Sequence, residues 1–316
     1  MYRINRIKRP GGEVMRQHSA VLTGTKMSYA GAAEVEYLTF PGLADTGIVR
    51  HLFSTRLGGS SEGVFSSMNL SFTRGDDAEC VLENYRRIAG ILGCRMSDFV
   101  CSDQTHTTNI RRVTEEDRGK GVIRPRDYTD VDGLVTDVEG IVLSTFYADC
   151  VPLYFVDTRR RAIGLAHSGW RGTAAGMGGC MVRRMREEFG TYPLDIQAAI
   201  GPSICRECYE VSGDVAEAFE MAFRGSEETV REIRSVYCCG EDPGEILTPG
   251  REAGKYQLDL WLANMVVLRQ AGIPLSNIAV TDVCTCHNPD YLFSHRASEG
   301  RRGNLGAFLM LALNNS

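Results

Sequence analysis

The chain has 316 residues, 43% hydrophobic and 24% charged, with a formal net charge of −5. That length buries a substantial core without disulfide or metal staples, and mild acidity gives no overall nucleic-acid signature. No apolar run approaches the ~18–20 residues of a membrane span, so neither nucleic acid nor membrane is an expected partner. The 11 cysteines are odd in number and no apolar signal segment precedes them. Both facts point to free thiols in a reducing, cytoplasmic setting.

Residues 1–35 are Arg/Lys-rich and lack a hydrophobic period. They are expected to form a disordered basic extension, dispensable for folding and catalysis, with order beginning between Val35 and Leu43 and Met27 an alternative start. A single catalytic domain of mixed α/β class is expected over 36–316. "GIVRHLFSTR" reads as a strand. "CVLENYRRIAGILG" places Leu82, Tyr85, Ile88 and Leu92 at helical spacing, with Gly93 as a stop. "VDGLVTD", "GIVLSTFYADCVPLYFVD" and "AIGLAHS" read as strands joined by short turns. The next segment puts Met177, Met181, Met185 and Phe189 on one helical face, a row suited to core packing. "IQAAIGPSI" is a strand, and "SGDVAEAFEMAF" is a helix with Val215, Phe219 and Phe223 inward. Residues 225–250 are polar and Gly/Pro-rich, which predicts an exposed excursion. "YQLDLWLANMVVLRQAG" predicts one long helix ended by Gly272. "NIAVTDVCT" reads as a strand, and "NLGAFLMLAL" as a strand or helix.

Chemistry-bearing residues are few. There are six histidines. His106 follows an apolar segment in "CSDQTHTTNI", Cys150 interrupts an apolar run, and His167 ends another. Imidazoles and a thiolate are good zinc ligands, and three protein donors leave an open position for catalysis. Spacing alone does not join them, and each has a plain structural reading as a hydrogen-bonded or packed residue. "CREC" (Cys205, Cys208), "CC" (Cys238, Cys239) and "CTCH" (Cys284, Cys286, His287) could instead form a structural zinc site, although their spacings look irregular. "GWRGTAAG" is a Gly-rich turn into a helix beside Arg171, a weak anion-site signal. Arg56 and Arg296 follow apolar segments and serve either an anion or a structural ion pair.

In order, "FSTRLGG…MNL", "DQTH", "DGLVTD", "ADCVPLYFVD", "AHSGWRGTAAG", "AAIGPSICRECYEV" and "DVCTCHNPDYLFSHR…GRRGNLG" resemble the YfiH-type laccase-domain family. The resemblance spans roughly residues 36–313. It implies a single-domain α/β/β/α sandwich, with two sheets covered by helices. It also implies zinc held by His106, Cys150 and His167, and it argues against zinc at Cys205 and Cys208. Cu2+ is an adventitious substitute at the triad on ligand chemistry alone, because copper outcompetes zinc at most such donors. Ser168 departs from the family's usual Ala and is expected to be a tolerated change rather than a nucleophile. The implied reactions are phosphorolysis of adenosine, inosine, guanosine and methylthioadenosine to free base and ribose 1-phosphate, and deamination of adenosine. The implied partners are purine nucleosides and phosphate, with the chain a monomer or small homo-oligomer.

For those reactions Asp149 is a candidate proton shuttle by adjacency to Cys150. Arg56, Arg171 and Arg296 are candidates to bind phosphate, Arg171 foremost. One rival is a metal-free Cys–His hydrolase or deamidase, with Cys150 as nucleophile and His167 as base. Another is a copper-dependent polyphenol oxidase. A four-copper site is excluded by counting, because six histidines without an HxH pair are too few.

Overall fold

The computed structural model describes residues 21–29, 33–237 and 245–313. In chain order its strands are β1 (Thr23–Tyr29), β2 (Ala33–Thr39), β3 (Val49–Ser54), β4 (Phe99–Cys101), β5 (Ile110–Arg112), β6 (Gly133–Thr136), β7 (Val142–Tyr147) and β8 (Val151–Asp157). They continue with β9 (Ala162–Ser168), β10 (Ile196–Ile200), β11 (Glu210–Ser212), β12 (Leu247–Pro249), β13 (Lys255–Leu258), β14 (Ile278–Val280) and β15 (Leu305–Leu311). The helices are α1 (Pro41–Ala44), α2 (Ala78–Leu92), α3 (Trp170–Ala174), α4 (Met177–Phe189), α5 (Gly213–Ala222), α6 (Glu227–Tyr237) and α7 (Leu260–Gln270).

Two six-stranded sheets stack face to face, ordered β1-β2-β3-β15-β7-β4 and β14-β10-β8-β9-β6-β5. Strand periodicity divides the core into layers. On β15, Leu305, Ala307, Leu309 and Leu311 face the second sheet, while Phe308 and Met310 face α2. On β8, Tyr154 and Val156 face the first sheet, while Val151, Leu153 and Phe155 face α4 and α7. The result is a helix–sheet–sheet–helix sandwich. Two fully buried tyrosines stitch its sheets: the Tyr154 hydroxyl donates to Leu52 O (3.1 Å) and the Tyr147 hydroxyl to Ala166 O (2.9 Å).

The methionine row packs as its spacing predicts, with Met177, Met181 and Met185 fully buried on α4. Gly164 makes room for it, since a Cβ there would lie 2.6 Å from Met181 Cε. On α2 the buried stripe begins at Val81 rather than the partly exposed Leu82, and Gly93 ends the helix at φ 64°.

Several expectations are corrected. Residues 23–29 are not disordered: β1 pairs antiparallel with all of β2, and Val21 and Leu22 are buried in the core between the sheets. Nothing in "TGTKMSY" signals this, because almost every side chain of β1 is exposed and only its pairing makes it a strand. Residues 1–20 lie outside the described residues, as do Cys238 and Cys239. The long helix before Gly272 is instead β13 followed by α7, split where the Asp259 carboxylate caps Leu262 N–H at 2.9 Å. The excursion over 225–250 contains α6, docked on α7 by Ile233 and the Arg269–Glu232 ion pair at 3.0 Å.

Candidate metal centre and its cavity

Cys150 occupies the break between β7 and β8. Asp149 turns the chain there at φ 91°, a strained value that the resulting geometry requires. His167 projects from β9, paired with Pro152 of β8, so its position is set by sheet register. His106 is exposed, on the loop after β4, at φ 68°. One ligand atom from each of His106, Cys150 and His167 lies within 4.8 Å of the others. Cys150 Sγ is 4.0 Å from His106 Nε2, and the two imidazoles meet edge-to-face at 4.9 Å. Gly169 permits this approach, because a Cβ there would stand 3.0 Å from both Cys150 Sγ and His106 Cδ2.

Asp132 organises the group and escaped the sequence reading, although it sits inside the quoted "VDGLVTD". Its fully buried carboxylate takes His167 Nδ1 at 2.7 Å. It also accepts from the amides of Thr105 (3.0 Å), His106 (3.2 Å) and Thr107 (2.9 Å) and from the Thr107 hydroxyl (3.1 Å). One carboxylate thus fixes the tautomer of one histidine and the backbone of the other. A metal-bound imidazole commonly has such a partner. Gln104 ties the same loop to β7, with Phe146 N–H donating to its Oε1 (2.6 Å) and its Nε2 donating to Phe146 O (2.7 Å).

Burial opposes charge at all three groups, and their mutual contacts overcome it. Burial raises the Cys150 thiol, yet His167 and hydrogen bonds from both imidazoles bring it down to about 6. Burial lowers His167, yet the Cys150 charge and the Asp132 hydrogen bond lift it to about 9. Burial likewise raises Asp132, but His167 and the threonine amides hold it below the usual carboxylate range. A thiolate and two imidazoles with an aspartate behind one of them suit zinc, and the exposed side of His106 leaves room for a further ligand.

The group lies on a cavity of about 860 Å³ walled by Phe72, Tyr85, Tyr128 and Phe146. None of the three arginines singled out from sequence lines it. Arg56 donates to Ser66 O (2.9 Å) and Pro289 O (2.6 Å) over the Phe293 ring. Arg296 donates to Cys208 O (3.3 Å) and Glu210 O (3.0 Å) over Tyr209. Arg171 is exposed and stacks on Trp170, at the start of a five-residue helix. The arginines of the cavity are Arg74, Arg124, Arg126 and Arg302. Arg126 is paired with Asp103 (2.6 Å), and Arg124 is occupied by the carbonyls of Arg118 and Glu116. Arg74 donates to Gly300 O (3.0 Å) and Arg302 to Gly303 O (3.3 Å) and Asn304 Oδ1, and among the described residues neither is joined to a carboxylate. Arg302 Nε is buried without a hydrogen-bond partner, and burial, reinforced by Arg74, pushes the guanidinium down to about 10. The sequence signal was present in "GRRGNLG", but only the fold shows which arginine turns inward.

Asp149 also departs from expectation. Its Oδ1 accepts from the Thr285 hydroxyl (2.6 Å) and its Oδ2 from Arg296 N–H (2.7 Å), and it does not line the cavity. Its hydrogen bonds brace the Cys150 turn. Ser168 is fully buried, sharing hydrogen bonds with Thr173 (2.9 Å) and Asn264 (3.1 Å), a packing role.

Residues 50–312 match the family described as multi-copper polyphenol oxidoreductase laccase. The chain belongs to that family. Purine nucleoside phosphorylase YlmD of Geobacillus stearothermophilus is 38% identical over 262 residues, 81% of this chain and 88% of the relative. Adenosine deaminase RL5, from an unknown prokaryotic organism, is 33% identical over 77% of this chain and 87% of its own length. The crystal structure of Geobacillus stearothermophilus YlmD superposes with a TM-score of 0.75 at 34% identity, covering 91% of this chain and 99% of that one. The laccase-domain resemblance and the mixed α/β sandwich are therefore both established. No helix of the described residues is long and apolar enough to cross a membrane.

Proposed function

We propose that this chain is a zinc-dependent purine nucleoside phosphorylase with adenosine deaminase activity, acting on purine nucleosides and phosphate. Relatives named for each activity support an enzyme of purine nucleoside metabolism. The observation that carries the finer reading is one cavity containing a His/Cys/His donor set and two arginines without carboxylate partners.

His106, Cys150 and His167 would hold the zinc. When bound it would supply Lewis acidity and an acidified water at neutral pH. Asp132 keeps the His167 Nδ1 proton in place, so that Nε2 is the free donor. Arg302 and Arg74 take the role expected of Arg171: they hold phosphate, whose oxygens satisfy the orphaned Arg302 Nε and offset the repulsion between neighbouring guanidiniums. Aromatic walls such as Phe72 and Tyr128 pack a purine and exclude water around the ribosyl centre. Phosphorolysis then forms a phosphate–C1′ bond as the glycosidic bond to the base breaks; deamination adds water at C6 and releases ammonia.

The test is incubation of the protein with adenosine, with and without phosphate, followed by chromatography of adenine, inosine, hypoxanthine and ribose 1-phosphate. Phosphate-dependent adenine and ribose 1-phosphate, with phosphate-independent inosine, are expected. Absence of all four products would refute the assignment. The low thiol pKa of Cys150 beside a charged His167 also suits a metal-free Cys–His hydrolase. Metal-free protein separates the two readings, because a thiol hydrolase keeps its activity without zinc.

A further inference from the structure

Among the described residues, a second group of metal-ligating side chains lies away from the cavity. Sγ of Cys205, Cys208 and Cys284 and a ring nitrogen of His287 all lie within 4.8 Å of one another. Cys205 Sγ is 3.6 Å from His287 Nδ1. Ligand atoms around a tetrahedral zinc stand roughly 3.5–3.8 Å apart, given Zn–S and Zn–N distances of about 2.3 and 2.0 Å. The four therefore need little rearrangement to enclose an ion.

The fold explains the convergence. β10 and β14 run parallel, paired from Ala198 with Ile278 to Ile200 with Val280. The loops that follow stay together: Ser203 bridges Cys284, and Thr285 N–H donates to Ser203 O at 3.1 Å. One loop then presents Cys205-x-x-Cys208 and the other Cys284-x-x-His287. This is a CxxC pair facing a CxxH pair, a regular zinc-ligand spacing obscured in the sequence by the intervening Cys286. The Cys205 amide donates to Cys284 Sγ at 3.3 Å, an arrangement that supports a thiolate ligand. Cys205 and Cys284 are buried, while His287 is exposed, so the cluster is sheltered yet reachable from solvent.

We propose that Cys205, Cys208, Cys284 and His287 bind a second zinc ion, which is structural. All four tetrahedral positions come from protein, leaving none for substrate. Loading releases the three thiol protons to solvent. This departs from the family resemblance, which argued against zinc at Cys205 and Cys208. The site also has a mechanical link to the cavity. Thr285, next to Cys284, donates to the Asp149 carboxylate, and Ile204 N–H, next to Cys205, donates to Asp149 O at 3.0 Å. The ion would lock together the two loops that hold the Asp149–Cys150 turn. The proposal stands independently of the reaction assigned to the cavity.

Elemental analysis by plasma mass spectrometry, on full-length protein purified without chelator, tests it. Wild type is expected to carry about two zinc ions per chain. Cys150→Ser and Cys284→Ser each lose one, and different ones, so the double variant is zinc-free. Cys286→Ser retains both. Cys208→His, which exchanges one ligand for another, also retains both and guards against a folding failure of Cys284→Ser. Loss of the second ion is expected to lower Tm by about 5 °C, whatever happens to turnover. A wild-type content of one zinc that Cys150→Ser abolishes and Cys284→Ser leaves intact would overturn the proposal. So would a Cys205–Cys208 disulfide in freshly purified protein.

Discussion

The two sulfur-and-imidazole clusters make an instructive pair. The cavity group has three donors, one of them exposed, and a buried aspartate behind it. The other has four donors from two adjacent loops and no place in the cavity. Three donors leave an open coordination position for chemistry, and four close it for stability. The difference lies in what surrounds the ligands more than in the ligands themselves. Asp132 and Arg302, whose buried Nε has no hydrogen-bond partner, belong to the first environment, whereas paired strand ends belong to the second.

The sharpest way to break this comparison is at Cys150. Cys150→Ala is expected to remove zinc from the cavity and abolish nearly all turnover, while leaving the other zinc and most of the stability. Zinc content and melting curves measured on the same sample check both halves. Retained full activity would end the catalytic role of the triad.

Asp132→Asn tests whether the cavity's character comes from behind its ligands. It is expected to weaken zinc binding there by about 10–100-fold, read by competition with a chromogenic chelator, and to spare the Cys3His cluster. Equal weakening at both sites would point instead to a general loss of structure.

The arginines come next. Arg302→Ala is expected to lower ribose 1-phosphate formation by about 10–100-fold, the loss expected for a charged hydrogen-bonding group, and to lower inosine formation much less. Arg171→Ala, outside the cavity, should change either rate by no more than about twofold. Separate product quantification for each variant decides. If Arg171 proves the more sensitive, the phosphate site is elsewhere.

Among the described residues, His51 lies outside both clusters of metal-ligating side chains. It is buried, Phe40 N–H donates to its Nε2 at 2.8 Å, and burial drives it down to about 4. The unfolded chain takes up this proton near pH 6.5, before the folded chain does. The group's contribution is therefore fully present above pH 6.5 and is lost as pH falls toward 4, by about 3 kcal/mol. Denaturant titrations of zinc-depleted protein at pH 7 and pH 4.5 measure it. His51→Gln, which keeps an acceptor for Phe40, should flatten the dependence, and an unchanged slope would assign the acid sensitivity elsewhere.

Much of the fold was legible because local chemistry announced it. The methionine spacing on α4, the stop at Gly93 and the apolar runs of β8 and β9 all correspond to elements present. β1 was not legible, since its exposed polar side chains acquire strand geometry only by pairing with β2. Nor was the break at Asp259, where one cap overrides a continuous apolar pattern.

Residue types and spacing alone determined the available chemistry: a thiol and imidazoles suited to zinc, a CxxC pair, a CxxH pair, and arginines able to hold an anion. Tertiary structure alone decided their partners. Sheet register placed His167 against the Cys150 turn and Asp132. The parallel pairing of β10 with β14 joined two distant loops into one cluster. Burial left Arg302 Nε without a partner while Arg56 and Arg296 spent their donors on backbone carbonyls. Coordination and hydrogen bonding act over a few ångströms, and residues far apart in the chain reach that range only when the sheets have formed.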